Sequence, residues 1–527
     1  MAVPDLSERF EQKSRTKPYL IFLIVIMGFG SASYGYASSI IATTLSQPSW
    51  TLDMGLATKS NANALIGATN GMFYAGGFFG SLGAGWVSAE YGRKMAAIVA
   101  CAMIIVFSAL ITASQNIGMF IAFRFLTGVG AGAIMAIIPV WVAEVSPPKV
   151  RGALVVVHAV MVNVGYVVAS YVGVGFYHYK GGDIENVWRG PMGLSLFFPT
   201  LFLCGAYWLP ESPRYLVSKN RMDEAWAVIH RLHSDAKDPT DEFARREFVQ
   251  IKAQMELDKT FTPHTILRSF VDSFTKPSLR TRSILTILIV FAQMSSGAVV
   301  INNYGGLIYS NLGYETATVL QFQGGYQVAG LVMNWVPMLY VDRFKRSTLL
   351  SIGFAGSAIA VIIECALQAK YLNTTDREGL AGCVTALYLS ITFYGLFIEG
   401  PGFAYVTEIW PTQLRGQGFA MSIAVYNLTC ILWLQAAPTA FANIGWKYYI
   451  IFIVIGAIAA AAMLFFLPDT LHKPLEEIAA CFGDVDAVAV RQTDLDHEST
   501  LEPKGGGLHV EGANSSSNES VTAEKLA

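Results

Sequence analysis

Long apolar runs without a charged side chain alternate with short polar segments along most of the chain. Residues 19–41, 64–88, 95–122 and 284–314 contain no Asp, Glu, Lys or Arg. A helix of about 18 or more apolar residues is long enough to cross a hydrocarbon core about 30 Å thick. These runs therefore predict a protein that crosses a membrane several times.

The full pattern predicts twelve membrane-spanning helices, six on each side of a polar interlude. The predicted spans are 19–41, 64–88, 95–113, 118–143, 152–177, 190–209, 283–311, 321–341, 348–368, 383–407, 418–442 and 447–467. Two related six-helix halves with a solute site between them are typical of secondary transporters. We therefore divide the chain into 1–18, 19–209, a loop with short helices at 210–282, 283–467 and a largely disordered tail at 468–527.

Composition agrees with this interpretation and excludes several other classes of function. Only 14% of the 527 residues are charged, and the net charge of −2 gives no indication of a nucleic-acid partner. Soluble domains average about 25% charged residues. No nucleophile–base pair, phosphate loop or metal-ligand cluster is recognisable, so we expect neither an enzyme nor a bound cofactor or metal.

The distribution of Lys and Arg predicts how the protein sits in its membrane, which we expect to be the plasma membrane. Basic residues concentrate in the loops on one side, including 93–94, 149–151, 343–346 and the 210–282 segment. The positive-inside rule places these loops and both termini in the cytoplasm. Asn373, in the sequence Asn-Thr-Thr, then falls on the outer side as a candidate glycosylation acceptor.

Several short motifs occur in span 4 and in the polar segments that follow spans 4, 6 and 12. They are Arg124-Phe125-Leu126-Thr127-Gly128 with Glu144 and Arg151-Gly152, Pro210-Glu211-Ser212-Pro213-Arg214-Tyr215-Leu216, and Pro468-Asp469-Thr470 with Leu475-Glu476-Glu477. In this order, over residues 19–480, the set resembles the sugar porter family of the major facilitator superfamily. The resemblance implies an all-α fold of twelve helices and transport of a small solute across the lipid bilayer by alternating access.

Acidic and basic residues recur at matching places in the two halves. The candidates for a conformational latch at the cytoplasmic face are Arg93, Glu144, Arg151, Asp342, Arg343, Glu408 and Arg415. Charge-assisted bonds among them could hold the two halves in one of two states. The alternative is ordinary positive-inside topology with surface ion pairs, each contributing about 0–1 kcal/mol.

The expected solute site departs from the family pattern. Sugar porters carry Gln-Gln-x-Ser-Gly-x-Asn in span 7, whereas this chain has Met294 in the second position and Val299 in the last. A buried solute hydroxyl without a partner costs about 1–3 kcal/mol, so such losses disfavour a hexose unless other groups compensate. The candidate substrate-binding residues are Gln293, Met294, Tyr304, Asn334, Glu399 and Asn427.

Span 1 bears on energy coupling. Proton-coupled members of the family carry Gly-Tyr-Asp there, and this chain has Ala37 at the place of the Asp while retaining Arg124. We therefore expect facilitated transport of a sugar, polyol or related polar solute, with Glu399 as the fallback proton site. The alternatives are a transporter or exporter of a less polar metabolite and a non-transporting sugar sensor.

Overall fold

The computed structural model is helical throughout the residues that it describes, and no strand occurs among them. The described residues are 18–147, 151–179, 187–234, 241–261, 266–372, 374, 376–410, 414–471 and 482. Asn373 lies outside them, as does most of the predicted tail.

The first half contains six spans. Their bounds are Pro18–Leu45, Ala62–Tyr91, Arg93–Thr112, Ile117–Val145, Arg151–Tyr177 and, for span 6, the consecutive segments Arg189–Gly193, Leu194–Leu196, Phe197–Gly205 and Ala206–Trp208. The helices between the halves are Pro213–Ser218, Met222–His233, Glu242–Phe261 and Ile266–Thr275.

The second half contains spans 7 to 12. Their bounds are Pro277–Met294 with Ala298–Asn311, Thr316–Trp335, Arg346–Tyr371, Arg377–Phe393 with Tyr394–Glu399 and Gly400–Ile409, Arg415–Ile444, and Ile450–Phe466. The predicted twelve-helix fold is confirmed. Span 8 begins at Thr316, five residues before the predicted start at 321, because its first turn carries small polar residues that hydropathy alone does not detect.

Nine helical stretches in the described part of the chain are long and apolar enough to cross a membrane. One of them, Gly416–Phe466, joins spans 11 and 12. Spans 2 and 8 are the two that fall below this threshold, since Gly, Asn and Gln replace larger apolar side chains along them. With its twelve spans the chain is an integral membrane protein.

Spans 7 and 10 are interrupted in their middle. Span 7 breaks at Ser295–Gly297, where Gly297 has a φ of +88°, and it kinks again at Tyr304. Span 10 contains a π-helical turn over Tyr394–Glu399. Transporters commonly place such breaks beside the solute site, because they free backbone groups and allow half-helices to move.

Among the described residues, the halves contact each other mainly along four pairs of spans: 2 with 11, 5 with 8, 1 with 7 and, less extensively, 4 with 11. At the end of the bundle that the Lys and Arg distribution predicts to face outward, here called the outer end, Gly306 of span 7 lies against Ser46 of span 1. A Cβ at position 306 would collide with the Ser46 hydroxyl. Next to this contact is a cavity of about 140 Å³, whose wall includes Asn63, Tyr304 and Ser310. The outer ends of the halves are therefore closely apposed.

Candidate solute-binding site

Tyrosine side chains from both halves meet at the centre of the molecule. Tyr34 of span 1 donates its hydroxyl hydrogen to the hydroxyl of Tyr426 of span 11, at 3.2 Å. The ring of Tyr74 of span 2 lies 6.3 Å from the Tyr426 ring, centroid to centroid. Tyr166 of span 5 interacts with Tyr426 and with Ser38. We call Tyr34, Tyr74, Tyr166 and Tyr426 the tyrosine cluster.

Buried amide groups lie on the spans that carry or adjoin this cluster. The Nδ2 of Asn427 donates to the carbonyl of its own helix at Ile423, at 2.7 Å, and that of Asn303 donates to Val299 at 3.0 Å. Among the described residues, the Oδ1 atom of Asn427 has no hydrogen-bond partner, whereas the Asn303 side chain interacts with Tyr74 and that of Asn70 with Tyr304. Buried polar groups are normally paired, so the Asn427 oxygen can accept a hydrogen bond from a solute or from water.

Two of the predicted substrate-binding residues, Gln293 and Met294, lie at the end of the first part of span 7. The Nε2 of Gln293 donates to the carbonyl of Ile398 at 2.9 Å, which joins span 7 to the π-helical turn of span 10. The Oε1 of Gln293 is buried and unpaired within the described part of the chain. Both side chains are essentially inaccessible, so a direct contact with solute would require spans 7 and 10 to separate.

The other predicted substrate-binding residues, which are Tyr304, Asn334, Glu399 and Asn427, lie at different heights along the spans. Tyr304 donates to the carbonyl of Leu434 at 2.8 Å, which closes span 7 against span 11 beneath the outer cavity. Asn334 of span 8 donates to Glu399 of span 10 at 2.7 Å. The structure therefore brings Asn427 close to the tyrosine cluster, while the Asn334–Glu399 pair joins two spans of the second half.

Arg124 of span 4 is buried, and it forms no ion pair with a carboxylate in the described part of the chain. Its Nη1 donates to the carbonyl of Ala37 at 2.7 Å, and its Nε donates to the carbonyl of Thr69 at 3.4 Å. The guanidinium carbon lies 4.4 Å from the centroid of the Phe73 ring. Backbone carbonyls and an aromatic face thus surround this cation.

Ion pairs form in equivalent spans of the two halves, at the end of the bundle that is predicted to face the cytoplasm. Arg93 at the start of span 3 makes a two-pronged pair with Glu144 at the end of span 4, with bonds of 2.9 and 3.0 Å. Glu408 at the end of span 10 binds Arg346 at the start of span 9, at 3.0 Å. Two side-chain ion pairs thus occupy corresponding positions in the repeat.

These pairs differ from the predicted latch in two respects. Glu408 is bound by Arg346, whereas the predicted Arg343 is exposed, because the first turn of span 9 points position 346 toward span 10. Each pair also joins two spans of the same half, so neither bridges the halves as we had expected. The side chains of Arg151, Asp342 and Arg415 lie outside the described residues.

Glu211, in the loop after span 6, is an ion-pair neighbour that sequence reasoning missed. Its carboxylate accepts hydrogen bonds from the backbone N–H groups of Arg93, Lys94 and Ser212, at 2.9 to 3.3 Å. Burial raises the pKa of Glu211, while these N–H donors oppose the rise. The Pro-Glu-Ser-Pro-Arg motif could have indicated this role in the sequence. A carboxylate is favoured beside the N-terminus of a helix, and Glu211 lies at the N-terminus of span 3.

Comparison with known proteins decides the family. A family model described as sugar (and other) transporter matches residues 23–482. The chain belongs to the sugar porter family. Sugar porters are secondary transporters of the major facilitator superfamily, so the function of this chain is the transport of a sugar or a related small solute across a membrane.

Similar sugar porters and solved structures cover almost the whole chain. An MFS-type transporter of Aspergillus cristatus is 29% identical over 91% of this chain and 95% of its own length. A quinate permease of Neurospora africana is 26% identical over 87% and 88% of the two chains, and a sugar transporter of Saccharomyces cerevisiae is 26% identical over 88% and 81%. The proton:xylose symporter XylE has the same fold, with a TM-score of 0.73 at 19% identity over 89% of this chain and all of that one.

Proposed function

We propose that this sugar porter carries a small, uncharged, hydroxyl-bearing solute through the tyrosine cluster by alternating access. The observation that carries the proposal is the hydrogen bond of 3.2 Å between Tyr34 and Tyr426, which links the two halves at the centre of the molecule. A group that must release its partner when the halves separate is suited to bind solute in its place.

The chemistry of the cluster favours a ring-shaped solute with both polar and apolar surfaces. Tyrosine hydroxyls, the unpaired amide oxygen of Asn427 and the Asn303 amide beside Tyr74 supply donors and acceptors for solute hydroxyls. The tyrosine rings offer flat apolar faces, against which the C–H face of a sugar or a cyclic polyol can pack. This arrangement compensates for the family amides that Met294 and Val299 replace.

An uncharged solute is preferred over an organic anion because the neighbouring cation is enclosed. Arg124 is only 1% exposed and is covered by the carbonyls of Ala37 and Thr69. A carboxylate in the tyrosine cluster would therefore lack an accessible cation. Transport of a quinate-like anion, suggested by the named activity of one relative, is the competing outcome.

A second candidate is a less polar metabolite. The apolar Met294 and Val299 and the four tyrosine rings favour it, since together they offer more apolar than hydrogen-bonding surface. A non-transporting sensor is a third candidate, and it would bind solute without moving it.

Transport is proposed to run downhill. Arg124 binds the carbonyl of Ala37 where a proton-accepting carboxylate would otherwise stand. Glu399, held by Asn334 at 2.7 Å, is the fallback proton site. The proposed setting is the plasma membrane with both termini in the cytoplasm, and the predicted glycosylation of Asn373 is retained as a prediction.

Uptake of labelled hexoses, pentoses, polyols, quinate and less polar cyclic alcohols into a transporter-deficient cell tests the proposal. Tyr34→Phe and Tyr426→Phe should each weaken the apparent affinity for the transported solute about 2- to 10-fold, because each removes one hydroxyl worth about 0.5–1.5 kcal/mol. Tyr207→Phe is the matched control, since Tyr207 is 85% exposed.

Three results would contradict the proposal. Unchanged affinity in both cluster variants would place the site elsewhere. Uptake of quinate in preference to every neutral solute would overturn the inferred charge. Binding without uptake of any solute would favour the sensor.

A further inference from the structure

Arg124 has one nitrogen that its neighbours leave unsatisfied. Its Nη1 and Nε donate to backbone carbonyls, whereas its Nη2 is buried and has no partner in the described part of the chain. Arginine keeps its positive charge at any pH that a protein tolerates. Carbonyl dipoles solvate such a charge only in part, and buried charges in proteins are normally paired with an opposite charge.

A small cavity lies against this guanidinium, enclosed by spans 1, 3, 4 and 6 of the first half. Its polar lining consists of Arg124, Thr127, Ser108 and Ser195, and Ala37 forms part of the wall. The cavity volume is about 10 Å³, which is room for about one occupant of the size of a water molecule.

Two groups around the cavity are free to donate hydrogen bonds into it. Besides Arg124 Nη2, the hydroxyl of Thr127 is buried without a partner among the described residues, and it can turn its hydrogen toward the cavity. The Ser195 hydroxyl donates its hydrogen to the carbonyl of Met192 at 2.6 Å, so its oxygen can only accept a hydrogen bond from the cavity. A cation and two free donors at one small cavity select for negative charge.

We propose that this cavity binds one small monovalent anion, such as chloride, as the counter-ion of Arg124. The anion accepts hydrogen bonds from Arg124 Nη2 and from the Thr127 hydroxyl. It stabilises the packing of spans 1, 3, 4 and 6, and it is separate from the solute in the tyrosine cluster. The inference therefore does not depend on which solute is carried.

The test uses the purified full-length protein in detergent, titrated with sodium chloride against sodium gluconate at constant ionic strength. The midpoint of thermal unfolding should rise saturably with chloride. Thr127→Val should shift the half-saturating chloride concentration upward about tenfold, because it removes one hydrogen bond to a charged partner. Arg343→Gln is the control, since it removes an exposed arginine outside the cavity and should leave the response unchanged.

Ala37→Asp gives the sharpest variant, because it places a carboxylate in the cavity wall beside the guanidinium. It should abolish the chloride response while unfolding in gluconate at or above the wild-type midpoint. A wild type that does not distinguish chloride from gluconate would overturn the proposal and leave a bound water as the occupant. So would an undiminished chloride response in Ala37→Asp or, should that variant not fold, in Thr127→Val.

Discussion

The sequence pattern and the structure assign different arginines to the ion pair with Glu408. The pattern favours Arg343, whereas the structure shows Arg346. Arg343 ends the short helix Val341–Arg343, and Arg346, three residues later, begins span 9. Of the two, Arg346 binds the carboxylate of Glu408, at 3.0 Å. Arg346→Gln should therefore impair transport, whereas Arg343→Gln should not. Both substitutions remove one positive charge from the same end of the helix bundle, so net charge is controlled.

The size of the effect follows from burial. The side chain of Arg346 is 7% exposed and that of Glu408 is 29% exposed, so the pair stands between a surface pair and a buried one. Surface pairs contribute up to about 1 kcal/mol, and breaking a buried pair costs about 3–5 kcal/mol. We expect a loss of about 1–3 kcal/mol, which would shift the equilibrium between inward- and outward-facing states about 5- to 150-fold if only one state contains the pair.

The assay is uptake of the identified solute at matched surface amounts of each variant. The double variant Arg346→Gln with Glu408→Gln should lose little more than either single variant, because one interaction is removed in all three. Equal losses in Arg343→Gln and Arg346→Gln would refute this reasoning. Wild-type uptake by Arg346→Gln would refute it as well.

Two further predictions concern spans 7 and 2. Gly306→Ala should slow uptake severalfold, because its Cβ would collide with the Ser46 hydroxyl when the outer ends close, and Gly83→Ala, with open space around it, should leave uptake unchanged. Gln293→Ala should weaken the affinity for solute, because it removes an amide from span 7. The double variant Met294→Gln with Val299→Asn should shift the preference in competition assays toward hexoses, because its two amides restore hydrogen-bond partners for solute hydroxyls. Unaltered selectivity in all of these variants would exclude this part of span 7 from the solute path.

The twelve spans could be predicted because lipid imposes a simple requirement on each of them. A charge-free apolar run long enough to cross the bilayer must satisfy its backbone within a helix. The breaks in spans 7 and 10 were not predictable in the same way. Within the π-helical turn over Tyr394–Glu399, the carbonyls of Ile398 and Leu396 accept hydrogen bonds from Gln293 and Tyr340, and hydropathy does not record such contacts.

The candidate site was predictable only in part. Arg93 and Glu144 stood out because charges at span ends are few, and they do form a pair. The tyrosine cluster escaped detection because its members come from four separate spans of both halves. In helices that are apolar on every face, periodicity does not reveal which tyrosine points to the centre.

The most direct test of the account is solute counterflow and uptake in proteoliposomes, with and without an imposed pH gradient. The account predicts exchange in both conditions, uptake that stops at equal concentrations on the two sides, and loss of affinity in Tyr34→Phe. Accumulation above equilibrium that collapses with a protonophore would contradict downhill transport. If Glu399→Gln then kept exchange but lost accumulation, Glu399 would be the proton site.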